Sequence, residues 1–447
     1  MAQPKHCTLK AVTAHMSRPL GTVSLLMAAL VLLALAPAAV AGNPDRAAKT
    51  PLGRGAATAR SAVSSSQLNT GLSRLFRRVG RSGAFVLDAN TGQVLFSRKA
   101  GRRRILASNS KIFTTSTALG RFGPQTRLET TVWSLDDVSD GISLGLYLRG
   151  GGDPTLTGSG LTKLASRVRA AGLTSVQGPL RYDDSFLDRE TGIPQHGIRP
   201  EGIGRLSALE IDGGRPSDPA KDSAQRFDAA LRKAGVSISK SVTPALVPQP
   251  PAAVQVAEFG SPTLADIAEL TNVPSNNFLA EMLLKDVGGA FGTSGSTSAG
   301  IQVVKRFAAD RGASFKGENG SGLSRRNRAS PASVVRMLDS MLEVNPSVPD
   351  AEQLSQRHLR DAFVGSLAVA GRSGTLARRM RGTAAAGNCH AKTGTLDGVS
   401  ALSGYCFHGA EDAEHAVVFS LLMNRTNVDR AHVVQDRMAS LIARYSG

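Results

Sequence analysis

Leu396-Asp397-Gly398-Val399 constrains the fold more than any other short stretch of this chain. Asp-Gly between two extended runs is the strongest local signal for a two-residue hairpin turn. A turn at Asp397 and Gly398 sets Leu396 opposite Val399 and so fixes the register outward. Cys389 lies seven residues before Leu396, and Cys406 seven residues after Val399. The two thiols then stand directly opposite each other, close enough to bridge. Two buried free thiols are the alternative reading. A zinc site on Cys389, His390, Cys406 and His408 is disfavoured, because adjacent strand residues point to opposite faces. No metal and no cofactor is expected.

A disulfide needs an oxidising compartment, and the N-terminus points to one. Residues 1–20 carry Lys5, Lys10 and Arg18 and no acid, an apolar run follows from Val23 to Ala36, and Ala39-Val40-Ala41 precedes Gly42. Basic start, short apolar run and small-residue exit read as a signal peptide over residues 1–41. The run falls short of the ~20 residues that span a bilayer, so no stable transmembrane anchor is expected after cleavage. The expected location is the periplasm or another extracytoplasmic part of the cell wall. Cleavage removes Cys7 and leaves Cys389 and Cys406 as the remaining pair.

The 447 residues carry a net charge of +18, which falls to +15 once residues 1–41 are removed. Such a balance speaks of partners rather than fold. Only 4% of residues are aromatic, and no basic stripe carries interleaved aromatics. Nucleic acid is therefore not an expected partner, whereas an anionic envelope polymer fits.

Residues 42–65, rich in Ala, Arg, Ser and Gly, read as a flexible linker. A short helix is expected near Leu68–Val79, and a hairpin around Asp88–Gly92. Ile105 to Leu119 reads as helical. Residues 123–259 change texture, with short alternating runs broken by Gly150-Gly151-Gly152-Asp153-Pro154 and helices at Leu161–Ala171 and Ala220–Ala234. Ser261-Pro262 is read as opening a further helical region, followed by helices at Val334–Leu342 and His432–Tyr445 and a strand at Ala416–Met423. The organisation is an α/β domain of residues 66–122 and 260–447, interrupted by a domain of residues 123–259.

Three short motifs carry the chemistry. In Ser108-Asn109-Ser110-Lys111, a helix puts Ser108 and Lys111 on one face, about 5–6 Å apart at Cβ. A serine hydroxyl is a weak nucleophile until a base takes its proton. A lysine serves once its pKa falls from ~10.4 toward ~7, through burial and a second nearby cation. Ser237-Ile238-Ser239-Lys240 repeats the pattern in an alternating strand context, where the two side chains point apart. Alone, such a pattern on a helix is usually a solvated face. Ser275-Asn276-Asn277 stands before the apolar helix Phe278-Leu279-Ala280-Glu281; taken alone it reads as a helix cap, otherwise as a hydroxyl and an amide presented to a cleft. Lys392-Thr393-Gly394-Thr395 leads into the Asp397-Gly398 turn. There an edge strand can pair with an extended peptide, Gly394 allows close backbone approach, Lys392, Thr393 and Thr395 can hold a carboxylate, and the Lys392 charge would help depress the pKa of Lys111.

The motif order S-x-x-K, S-x-N, K-T-G resembles that of penicillin-binding proteins and serine β-lactamases. With Gly151–Leu156, Asp183-Asp184-Ser185-Phe186, Gly320-Ser321-Gly322-Leu323 and the run from Gly394 to Tyr405, the chain resembles the class C low-molecular-mass penicillin-binding proteins over about residues 70–445. The resemblance implies an α/β (α+β) fold: a penicillin-binding transpeptidase-like domain, with a five-stranded antiparallel sheet flanked by helices and an inserted second domain. It implies a D-alanyl-D-alanine carboxypeptidase/endopeptidase acting on peptidoglycan stem peptides, with β-lactams as covalent inhibitors. Ser108 would be acylated, Lys111 act as base, and Ser275 and Asn277 assist. Lys392, Thr393 and Thr395 would bind the carboxylate. The backbone N–H groups of Ser108 and Thr395 would form the oxyanion hole. Asn276 departs from an Asp common in the second motif, and Asn319 from an Asp often found before Gly-Ser-Gly-Leu. A β-lactamase or a non-catalytic peptidoglycan-binding protein are the alternatives.

Overall fold

The computed structural model describes residues 62–408 and 415–447, except positions 78, 80, 189 and 191–202. The signal-peptide reading and residues 42–61 of the linker lie outside these. The last linker positions do not match the expectation of flexibility: Val63 bridges to Tyr445, and Ser64 caps the helix Ser65–Phe76 through a capping box with Gln67.

The first sheet is antiparallel throughout. Its strands run Ala368–Val369, Cys389–Leu396, Val399–Phe407, Ala416–Asn424, Arg81–Asp88 and Val94–Arg98 across the sheet. Five are full-length strands; the two-residue Ala368–Val369 is a sixth that the sequence pattern did not announce. It pairs only with His390 and Ala391, so it ends before Lys392. The hairpin register is Leu396 opposite Val399 and Cys389 opposite Cys406. The two sulfurs are bonded, with Cα atoms 4.0 Å apart.

Alternation along these strands feeds two cores. Ala401, Tyr405, Val418 and Leu422 join a cluster with Phe113, Leu283, Val304 and Leu338 from helices Ser110–Phe122, Asn277–Phe291, Thr297–Ala309 and Pro331–Asp339. Leu402, Cys406, Phe419 and Leu421 face the other way, onto Leu72 and Phe76 of Ser65–Phe76 and Met438 and Ile442 of Val428–Ile442. A period of two on a sheet covered on both sides produces this division.

Residues 127–263 build a second sheet, ordered Ile142–Ser143, Ser175–Asp183, Leu146–Gly150, Arg127–Ser134, Val254–Thr263, with Ser237–Pro244 also paired to Ser175–Asp183. Its pairings along Ser175–Asp183 are parallel. Helices Gly158–Ala170 and Pro219–Lys233 bury Leu161, Leu164, Phe227 and Leu231 in its own core. Ser261-Pro262 belongs to the last strand of this sheet rather than to a helix. The helix starts at Leu264, where Thr263 and Asp266 form a capping box.

Candidate active site

Ser108 does not sit inside an α-helix. It occupies a 3-10 turn, Ala107–Asn109, that feeds the helix Ser110–Phe122. Ala107 has φ +47°, a conformation costly for a residue with a side chain. It ends the preceding short strand, Arg104–Ile105, and redirects the chain so that Ser108 is only half-buried. Lys111 is one turn on and wholly buried.

Three oxygens surround the Lys111 amine. Nζ lies 3.2 Å from Ser108 Oγ, 2.7 Å from Asn277 Oδ1 and 2.8 Å from the Ser321 carbonyl. Burial pulls the Lys111 pKa down to about 7, while the Glu281 carboxylate pulls it back up. Desolvation disfavours the charged amine, and among the described residues no ion pair compensates it. Lys392 is also wholly buried. Burial first, and the neighbouring Lys111 second, push its pKa well below the usual lysine range. The sequence reading gave Lys392 a part in lowering Lys111; burial is the leading cause, and the repulsion between the two amines weighs on Lys392.

The third-motif strand presses directly on the Ala107–Asn109 turn. A Cβ at Gly394 would lie 2.7 Å from the Leu106 carbonyl oxygen and 3.1 Å from the Ser108 and Asn109 nitrogens. Asn109 Nδ2 donates to the Lys392 carbonyl at 2.6 Å, and Ser403 Oγ donates to Asn109 Oδ1 at 3.0 Å. Asn109 thus ties the turn to two strands. Lys392 Nζ donates to the Thr393 carbonyl at 3.1 Å, and Thr393 Oγ1 donates to Thr375 Oγ1 at 2.8 Å. Thr395 is exposed on the same strand.

The second motif divides its work. Asn276 is the cap of helix Asn277–Phe291, accepting from the Leu279 N–H at 3.1 Å. Asn caps as well as Asp does, so this departure leaves the cap intact. Asn277, the next residue, reaches Lys111. Ser275 has φ +64° and is half-buried; among the described residues no hydrogen bond joins its hydroxyl to Lys111. The repeated pattern at Ser237 and Lys240 is far from this chemistry in kind: it lies on the strand Ser237–Pro244, with both residues exposed.

Sequence reasoning missed Asn109, Glu281, Ser321 and Thr375. Glu281 follows Asn277 by one helical turn, which was a readable signal. Ser321 acts through its carbonyl and Asn109 across 283 residues, and neither leaves a local pattern.

Residues 77–215 and 213–445 match the model of the D-Ala-D-Ala carboxypeptidase 3 (S13) family. The chain is 31% identical over 465 residues to the D-alanyl-D-alanine carboxypeptidase of an Actinomadura species, covering 82% of each. It is 29% identical to the carboxypeptidase DacB of Mycolicibacterium smegmatis, over 85% of this chain and 82% of the relative. The crystal structure of penicillin binding protein 4 from Haemophilus influenzae matches with a TM-score of 0.66 at 20% identity, over 82% of this chain and 97% of that one. The fold is therefore the transpeptidase-like one with an inserted domain.

Proposed function

Because the chain belongs to the D-Ala-D-Ala carboxypeptidase 3 (S13) family, we infer that it is a serine D-Ala-D-Ala carboxypeptidase, with endopeptidase activity on cross-linked stem peptides. The observation that carries the assignment of roles is the Lys111 amine within 3.2 Å of the Ser108 hydroxyl, with its pKa held at about 7. A neutral amine has two N–H donors and one lone pair. Asn277 Oδ1 and the Ser321 carbonyl accept the two N–H groups, and the lone pair is left for the Ser108 proton. Ser108 Oγ attacks the carbonyl of the penultimate D-Ala as its proton passes to Lys111. The amine leaves with a proton, Ser275 being the proposed relay, and water then releases the acyl group from Ser108.

The substrate adds to the open half of the Cys389–Leu396 strand, beyond the short Ala368–Val369 neighbour. Its terminal carboxylate lies with Lys392, Thr393 and Thr395. An anion there draws a proton onto Lys392 and keeps Lys111 neutral, since two adjacent buried amines resist double charging. The Ser108 and Thr395 N–H groups receive the developing oxyanion. β-Lactams enter the same route and acylate Ser108. The catalytic domain comprises residues 66–122 and 264–447, and the insert the residues between them, whose sheet runs to Thr263 rather than ending at the expected 259. Residues 1–41 direct export to the cell wall. Mass spectrometry of muropeptides tests the reaction: pentapeptide stems should lose their terminal D-Ala with the wild type and not with Ser108→Ala. Unchanged stems and cross-links with both proteins would contradict it.

A further inference from the structure

Asn319-Gly320-Ser321-Gly322 forms a turn wedged between helix Asn277–Phe291 and the nucleophile turn. Glu281, 1% exposed, binds it from one side: its two carboxylate oxygens accept the Gly320 and Ser321 N–H groups, each at 2.9 Å. Asn327 Nδ2 donates to the Asn319 carbonyl at 2.8 Å and to Asn319 Oδ1 at 2.9 Å, and also reaches Ser110 Oγ at 3.0 Å. Thr114 Oγ1, on the nucleophile helix, donates to the Gly320 carbonyl at 3.0 Å. Gly322 sits against the Ala107 carbonyl, where no Cβ would fit. The turn is thus held on every side, and its Ser321 carbonyl accepts from Lys111.

We propose that Glu281 is a positioning residue for acyl transfer, holding this turn so that the Ser321 carbonyl, together with Asn277, aims the Lys111 lone pair at Ser108. The proposal rests on the reading of Lys111 as the base. Asn277 and Glu281 are one turn apart on the same helix, so one rigid element supplies both a direct and a backbone-mediated hold on the amine. A carboxylate is suited to this, since it offers acceptors to two adjacent N–H groups with no donor to clash. Glutamine would present an NH₂ to one of them.

The charge of Glu281 gives the role a signature. Among the described residues, the charged groups bearing on Lys111 are Glu281, which raises its pKa, and Lys392 on the facing strand. Removing the carboxylate charge should let the Lys111 pKa fall further.

The test is the second-order rate constant for acylation of the full chain by a fluorescent penicillin, measured across pH for the wild type, Glu281→Gln and Glu281→Asp. Glu281→Gln should lower the high-pH plateau about tenfold to a hundredfold and move the acid limb down by about one pH unit. Glu281→Asp keeps the charge but cannot span both N–H groups, so it should lower the plateau with the limb close to that of the wild type. A wild-type plateau in either variant overturns the proposal, and so does a lowered Glu281→Gln plateau with an unmoved limb, the mark of a merely structural residue. Should Glu281→Gln fail to fold, the Glu281→Asp plateau decides. Lys111→Ala and Ser108→Ala are measured alongside. Acylation surviving in either defeats the reading of the base and nucleophile; acylation lost in both, with Glu281 variants at wild-type rates, defeats this inference alone.

Discussion

Gly394→Ala is a one-carbon perturbation with a calculable consequence. The added Cβ meets the Leu106 carbonyl oxygen at 2.7 Å, where ordinary contact begins at 3.4 Å. Strand and turn must therefore separate by about 0.7 Å. Both partners are backbone, so no side chain can swing aside. Asn109 resists the separation, because its 2.6 Å bond to the Lys392 carbonyl ties the turn to the same strand. Overpacking of this kind costs about 1–3 kcal/mol of stability. The chemical cost is of similar size, since Ser108 sits on one side of the moving seam and the residues proposed to hold the carboxylate on the other. Displacements approaching 1 Å cost up to about 10²-fold in rate. Stopped-flow acylation by a labelled penicillin should show a fall of ten- to a hundredfold at a melting temperature only a few degrees below that of the wild type. Acylation within about twofold of wild type would refute the idea that this contact sets the geometry of the site.

Three further outcomes follow from the geometry. Acylation should rise with pH through about 7, as Lys111 loses its proton; a rate that does not change between pH 5 and 9, roughly two units either side of that value, would contradict a lysine base. Replacing Cys389 and Cys406 together by Ser opens a cross-link of sequence separation 17 and should cost about 3 kcal/mol in chemical denaturation; an unchanged midpoint and slope would contradict it. Burial raises the Glu210 pKa from 4.5 to about 8. A raised folded-state value means that the stabilising effect of the proton is complete below about pH 4.5 and lost as pH rises through about 8. Glu210→Gln should therefore flatten the fall in melting temperature over that window; parallel curves for variant and wild type would contradict the assignment.

Much of the catalytic sheet was legible because its hairpin carries its own ruler: an Asp-Gly turn and two cysteines at equal distance from it. Alternation also separated the two copies of the Ser-x-x-Lys pattern, since Ser237 and Lys240 lie on a strand. The 3-10 turn at Ser108 was not legible. It depends on Ala107 at φ +47°, held by packing against residues more than two hundred positions away, such as Gly322. The parallel pairings of the insert were also hidden, because its short strands alternate much as antiparallel ones do. The cause of the lowered Lys111 pKa was only partly legible. Sequence order brings Lys392 to mind as a repelling neighbour, but complete burial is a property of the packed core around Phe113, Leu283 and Leu284. Glu281, the one acid among the described residues bearing on Lys111, looked like an ordinary polar position on an apolar helix.

The most direct measurement is the site of the covalent adduct after incubation of the full chain with benzylpenicillin. Peptide mapping by tandem mass spectrometry should find one penicilloyl group, on Ser108, in the wild type and none in Ser108→Ala. An adduct on any other residue, or one that persists in Ser108→Ala, would contradict the account.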